Sequence, residues 1–164
     1  MDQLTGLPAR AELASAFTDV RDGTWIPAVF LDIDGFRWVT DQFGHVEADR
    51  NLVTIAEWLT REAEAARGRV FRVGGDEFLM LLPERGIAEA AAIANTLVSN
   101  CAALRIPYVN PNESRDVLTV SAVVFAADRT MPAQLVTLLD GFGHSLYLAE
   151  VARGRNFGNV VVCD

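Results

Sequence analysis

The stretch Arg69-Val70-Phe71-Arg72-Val73-Gly74-Gly75-Asp76-Glu77-Phe78-Leu79-Met80-Leu81-Leu82 decides the reading. Two runs of strand-forming residues flank Gly-Gly. That is the pattern of a tight β-hairpin, in which glycine takes positive φ at no steric cost. Two carboxylates follow at the tip, and strand alternation sends Asp76 and Glu77 to opposite faces. A Gly-Asp turn is ordinarily a solvated one. Its acids carry chemistry only if a second acidic site lies beside them.

Upstream, Ile26 to Ile33 is an almost wholly apolar run that ends in Asp32-Ile33-Asp34-Gly35. Such a run predicts a strand buried on both faces, at the centre of a sheet. Acids at the C-terminal end of such a strand are where α/β sites form. If this strand and the hairpin are neighbours, Asp32 and Asp76 converge. Two like charges ~4 Å apart repel by about 4 kcal/mol at an effective dielectric near 20, so protonation or a cation must relieve them. Mg²⁺ suits the place, because it takes few carboxylates and fills its shell with phosphate and water. Opposed carboxylates with Mg²⁺ are the apparatus of two-metal phosphoryl transfer, which points to a nucleotide-handling enzyme. Spacing alone equally allows Asp32 and Asp34 to be a strand-terminal turn pair.

Working outward, Asp2 to Pro8 is turn-rich and precedes a helix through Leu13, Ala16, Phe17 and Val20 that Asp22-Gly23 breaks. Phe36 to Phe43 reads as a short helix stopped by Gly44, and Glu47 to Arg67 as a longer one with Leu52, Ile55, Ala56 and Leu59 on one face. Ile87 to Leu104 is amphipathic, Pro107 to Asp116 a polar loop, Val117 to Phe125 a strand, Leu135 to Ala152 a last helix and Val160 to Val162 a closing strand. The expected fold is α/β (α+β), a central sheet flanked by helices in one domain over residues 1–164.

Bulk properties exclude several classes. A net charge of −8 without a basic stripe disfavours a nucleic-acid binder. No apolar run approaches the ~20 residues of a membrane helix, and no signal peptide opens the chain. Cys101 and Cys163 lack metal-ligand spacing and read as free thiols in a reducing cytoplasm.

Five separated motifs then resemble the GGDEF family of diguanylate cyclases, over nearly the whole chain. They are Asp2-Gln3-Leu4-Thr5-Gly6-Leu7-Pro8, Leu31-Asp32-Ile33-Asp34-Gly35-Phe36-Arg37, Phe43-Gly44-His45 with Asp49, Gly74-Gly75-Asp76-Glu77-Phe78, and Gly154-Arg155-Asn156. The resemblance implies a palm-like, mostly antiparallel sheet, similar to nucleotidyl cyclase domains. It implies that two GTP-loaded subunits meet head to head and condense two GTP into cyclic di-GMP, releasing pyrophosphate. Two Mg²⁺ per site are implied, with Mn²⁺ as a substitute. By that likeness Asp32, the Ile33 carbonyl and Asp76 hold metal, and Glu77 helps the attacking 3′-hydroxyl lose its proton. Phe36, through its amide, and Arg37 hold the terminal phosphates, with Arg72 and Arg155 as further phosphate-side cations. Gly74 and Gly75 let the nucleotide approach, while Thr40 and Asp49 stand at the guanine-reading positions. A sensory module commonly precedes such a domain; the sequence leaves open a piece of a longer chain or a stand-alone protein.

The departures from the family pattern matter as much. Thr40 replaces an asparagine that helps read guanine and lacks its paired donor and acceptor. Glu150, or Val151 if no residue is inserted before Gly154, stands where a phosphate-binding lysine is expected. Phe142-Gly143 replaces Ala-Asp, Ala48 replaces a glycine, and Arg37 replaces a lysine. The Arg-x-x-Asp of the family's product-inhibition site is Ala65 and Gly68, so that site is expected to be absent. Three functions follow: an active cyclase, a silent nucleotide-binding domain that senses or interacts, and a cyclase of altered nucleotide choice. His45, at a helix start, and His144 read as non-catalytic, and Trp25, Trp38 and Trp58 as packing or interface residues.

Overall fold

Ala28, Val29, Phe30 and Leu31 are completely buried because their strand is the middle of the sheet. The computed structural model describes residues 1–18, 25–128, 135, 137, 139–142 and 158–163. A 3-10 turn, Arg10–Glu12, leads into helix α1, Leu13–Thr18. There follow β1 (Trp25–Ile33), α2 (Phe36–Ala65), β2 (Arg69–Arg72), β3 (Glu77–Leu81), α3 (Ile87–Asn100), β4 (Val120–Asp128) and β5 (Val160–Val162). The sheet order is β2-β3-β1-β4-β5. β1 is antiparallel to β3 and β4, β2 is antiparallel to β3, and only β5 runs parallel, alongside β4. The mostly antiparallel sheet flanked by helices matches the expectation.

Strand alternation splits the core in two. Val29, Leu31 and Ile33 face α2 and α3, where Leu52, Ile55, Leu59, Ala94 and Leu97 close over them. Ala28 and Phe30 face the other way, onto Leu13, Ala16, Leu139 and Phe142. The Phe30 and Phe142 rings sit 5.5 Å apart. Each fully buried side chain of this size stabilises the fold by roughly 1.5–3 kcal/mol, which holds β1 firmly in the sheet.

Gly44 breaks α2 as the sequence predicts. Its backbone, at φ 80° and ψ 169°, is a conformation that glycine alone takes readily. The break separates the segment carrying Thr40 from the one carrying Asp49. At the far end Arg67 turns left-handed, and Gly68 packs so closely that a Cβ would meet the Leu81 carbonyl oxygen at 2.6 Å.

One boundary and one exclusion differ from expectation. The first helix runs to Thr18, and its expected continuation to Val20 and the break at Asp22-Gly23 lie outside the described residues. β4 begins at Val120, because Val117 makes an isolated bridge to Pro107 that closes the 107–117 loop on itself. Ile87–Leu104, 18 residues of mean hydropathy 1.3, is long and apolar enough to cross a membrane by length and composition, contrary to the expectation that no such run exists. Its Ala90, Ala94, Leu97 and Cys101 form one buried stripe against the sheet, the packing of a core helix. The Cys101 thiol lies 3.7 Å from the Leu118 carbonyl, and burial pushes its pKa up to about 12.

Candidate active site at the end of strand β1

Register sets the end of β1 against the hairpin tip. Asp32, the penultimate residue of β1, lies opposite Glu77, the first residue of β3. The Ile33 amide donates to the Asp76 carbonyl at 3.2 Å. A strand residue turns its N–H and C=O toward the same neighbour, so the Ile33 carbonyl also faces the hairpin. The strand adjacency on which the sequence reading depended is therefore present.

The hairpin tip corrects the turn chemistry. The last paired residues are Arg72 and Phe78, and the Val73 and Gly74 amides both donate to the Glu77 carbonyl, at 2.9 and 3.3 Å. The loop is wider than a two-residue turn, and neither Gly74 nor Gly75 has positive φ. Space explains the glycines instead. A Cβ on Gly74 would run into the Glu77 carboxylate, with its Cδ at 2.8 Å, whereas Gly75 has no atom within 4 Å of where a Cβ would stand. One glycine makes room for an acid, and the other leaves the tip open.

Asp76 and Glu77 are both half-buried. Burial raises the Asp76 pKa against the help of its own amide and the nearby Arg72 charge. Burial and then the Asp76 charge raise that of Glu77, which Arg10 partly opposes. Two carboxylates at one tip, each disfavoured as an anion, form a site that favours a cation.

Arg72, expected on the phosphate side, is engaged by the protein. Its Nη1 donates to Asp2 Oδ1 at 2.9 Å, and its Nε and Nη2 donate to the Gly75 carbonyl at 3.2 and 2.6 Å. Only 12% of the side chain is exposed. Asp2 also accepts from the Thr5 amide and hydroxyl. The guanidinium therefore staples the Gly-Gly loop to the opening turn rather than reaching into solvent.

Phe36 begins α2, so its amide is one of the unpaired donors of a helix N-terminus. Gly35 caps that end at φ 66°. Arg37 is open to solvent, its side chain 92% exposed and 3.8 Å from Asp41. Thr40 is half-buried one turn further on, and Asp49 is exposed beyond the Gly44 break. His45 is exposed. Arg155, Gly154, Asn156, Glu150, Val151, Gly143 and His144 lie outside the described residues.

Residues 1–155 match the sequence pattern described as "Diguanylate cyclase, GGDEF domain". The chain belongs to that family. The bifunctional diguanylate cyclase/cyclic di-GMP phosphodiesterase MucR of Pseudomonas aeruginosa is 31% identical over 161 residues, which cover 94% of this chain and 22% of MucR. Diguanylate cyclase DgcN of Escherichia coli is 29% identical, covering 94% of this chain and 38% of DgcN. The chain thus spans well under half of these curated relatives. Diguanylate cyclase SiaD of Pseudomonas aeruginosa, solved with its activator SiaC, superposes with a TM-score of 0.71 at 27% identity, over 99% of this chain and 61% of that one. The coiled coil and GGDEF domain of DgcB from Caulobacter crescentus, solved with c-di-GMP, gives 0.73 at 23% identity, over 99% and 85% of the two chains, a likeness of fold.

In this GGDEF domain the acid that sequence reasoning passed over is Asp34. It is 3% exposed and accepts from Ser121 Oγ at 2.6 Å, Thr119 Oγ1 at 2.6 Å and the Gly158 amide at 2.9 Å. Burial raises its pKa against these three donors and Arg115. Asp34 is therefore a tie between the end of β1, β4 and the approach to β5. Nothing local marks it, because its donors lie 85 to 124 residues away.

The residues present fit a hard divalent cation. Among the described residues no three acidic, histidine or cysteine side chains gather into a cage. Asp32, Asp76 and the Ile33 carbonyl at the end of β1 would offer an all-oxygen, anionic donor set. Such a set leaves most of a Mg²⁺ shell to phosphate and water.

Proposed function

We propose that the chain is the catalytic domain of a diguanylate cyclase, condensing two GTP into cyclic di-GMP with release of pyrophosphate. The observation that carries this reading is the pairing of Asp32 with Glu77, with Asp76 beside them at an open hairpin tip. In the reaction a 3′-oxygen attacks an α-phosphorus in line, and the protein chiefly positions groups and offsets charge. Asp32, Asp76 and the Ile33 carbonyl would hold Mg²⁺, two ions per site, with Mn²⁺ as a substitute. When bound, the metal neutralises the triphosphate and polarises its α-phosphorus. Glu77 would accept the 3′-hydroxyl proton at its carboxylate. The Phe36 amide and Arg37 bind the terminal phosphates, Asp49 accepts from the guanine edge, and Arg155 adds a phosphate-side charge. Arg72 acts one step back, by fixing the Gly75 carbonyl.

One subunit supplies one nucleotide, so a homodimer is required and specific activity rises with protein concentration. Incubating purified protein with Mg²⁺ and GTP, ATP or both, then identifying products by mass, tests the reading. Cyclic di-GMP from GTP alone is the expected result. Thr40, with a single hydroxyl at the base-reading position, favours a second reading, a domain that binds GTP without turning it over. GTP binding with no product from any mixture would establish that one.

Feedback through the Arg-x-x-Asp position is not expected. Ala65 carries no charge, and a side chain at position 68 would meet the Leu81 carbonyl oxygen. Inhibition by low-micromolar cyclic di-GMP, with the product bound beside Ala65, would overturn this.

A further inference from the structure

The loop from Pro107 to Asp116 reads from sequence as a polar connection, yet it contains a densely hydrogen-bonded cluster centred on Arg115. Arg115 is its centre, with 5% of its side chain exposed. Its Nε donates to Glu113 Oε2 at 2.6 Å and its guanidinium lies 3.6 Å over the Tyr108 ring. Tyr108 in turn donates its hydroxyl to Glu113 Oε1 at 3.0 Å. The loop is closed by the Tyr108 amide on the Asp116 carbonyl, at 2.9 Å. A surface connection needs none of this.

What the cluster grips is the turn between β1 and α2. Arg115 Nη2 donates to the Asp34 carbonyl at 2.9 Å. Its Nη1 donates to Thr119 Oγ1, and that hydroxyl passes its own proton to Asp34 Oδ2 at 2.6 Å. Arg115 therefore holds Asp34 twice, once by main chain and once through a hydroxyl relay. The next residue, Gly35, is pinned as well, because Tyr108 Oη stands where a Cβ would be and Arg115 Nη2 is 3.0 Å from the same point.

We infer that Arg115 is a positioning residue for the nucleotide and metal site, acting through Asp34 and Gly35. The inference rests on the cyclase reading given above. Two residues before Asp34 is Asp32, and two residues after it is the Phe36 amide. The turn that Arg115 locks therefore fixes the distance and angle between a metal carboxylate and a phosphate-binding amide. The hairpin supplies the opposing acids from one side, and Arg115 braces the turn from the other. A displacement of about 1 Å in such a frame costs on the order of a hundredfold in rate, so a residue with no contact to nucleotide can govern turnover.

The test uses Arg115→Gln and Arg115→Lys, with Thr119→Val and Thr119→Ser as a second pair that leaves the charge in place should Arg115→Gln fail to fold. Folded fraction is measured by circular dichroism, and kcat, GTP KM and the Mg²⁺ concentration for half activity are measured on folded protein. Arg115→Gln and Thr119→Val should lower kcat about tenfold or more and raise the Mg²⁺ requirement, as expected from losing one or more charge-assisted bonds. Thr119→Ser should restore the wild-type values and Arg115→Lys part of the loss. Unchanged kcat and Mg²⁺ dependence in folded Arg115→Gln or Thr119→Val, or equal loss in Thr119→Val and Thr119→Ser, would overturn the inference. If the wild-type protein makes no product, the cyclase reading fails by itself. Hydrogen exchange of the peptide over residues 33–38 then decides: faster exchange in Thr119→Val than in Thr119→Ser keeps Arg115's grip on the turn, and equal exchange removes it.

Discussion

The end of β1 is held from two sides that differ in kind. On the hairpin side, Asp76 and Glu77 are half-buried, their pKa values raised by burial, and the charge on Asp76 is favoured by its own amide and a neighbouring arginine. On the loop side, Asp34 is more deeply buried yet accepts from two hydroxyls and an amide, and Arg115 is bonded or stacked on every face. Both sides place carboxylates where water is scarce. The loop side answers its acid with three hydrogen bonds to the carboxylate, whereas the hairpin side offers Asp76 its own amide and the Arg72 charge, and Glu77 the Arg10 charge. Proteins keep under-compensated acids where a ligand is to supply the compensation, and surround them with groups that are fully compensated.

Four substitutions break or sharpen this contrast. Asp76→Ala should lower turnover more than about a thousandfold by removing a metal ligand, while the melting temperature stays within a few degrees of wild type or rises. Retained activity would refute the metal assignment. Asp34→Ala should do the reverse in stability: leaving two hydroxyls and an amide without their acceptor costs about 3 kcal/mol, or roughly 6–12 °C in melting temperature. Equal melting temperatures for these two variants would erase the distinction drawn here. Gly35→Ala should cost about 1–3 kcal/mol, since φ is 66° and the new Cβ would strike Tyr108, and its activity should fall further than its stability.

The smallest effect belongs to Asp2→Asn. Burial alone would raise the Asp2 pKa, but bonds from the Thr5 hydroxyl and amide and from Arg72 bring it down to about 2. A carboxyl whose folded pKa lies below its ordinary value stabilises the fold above that ordinary value and loses the contribution as pH falls through the folded pKa. Wild type and Asp2→Asn should therefore differ by about 1 kcal/mol near neutral pH and converge between pH ~4 and ~2, as followed by chemical denaturation. A gap that persists at pH 2 would show that the Asp2–Arg72 pair is not its source.

The hairpin side was legible in the sequence and the loop side was not. Apolar patterning marked β1, β2 and β3, and their pairing turned two separate acidic motifs into one site. Gly44 marked the break in α2 because backbone chemistry is local. Gly74 and Gly75 were read correctly as a turn, but neither has positive φ, and only at Gly74 would a Cβ meet a neighbour, the Glu77 side chain. Arg72 read as a phosphate-side cation, and its bond to Asp2 was not legible because the partner is 70 residues away. Asp34 and Arg115 are 81 residues apart, and neither strand alternation nor helical periodicity reports a bond between two loops.

The bond from the Gly158 amide to Asp34 has a consequence for biosynthesis. It joins residues 124 positions apart, and the parallel strand that follows adds Val160 to Val162 beside β4. On the ribosome, β1, the hairpin and α2 emerge early and can pair as they appear. Asp34, behind the proposed metal site, waits for its last donor until residue 158 has been made. A chain stalled before that point would carry all the acids of the hairpin side on an unfinished support, so the order of translation delays the completion of that support.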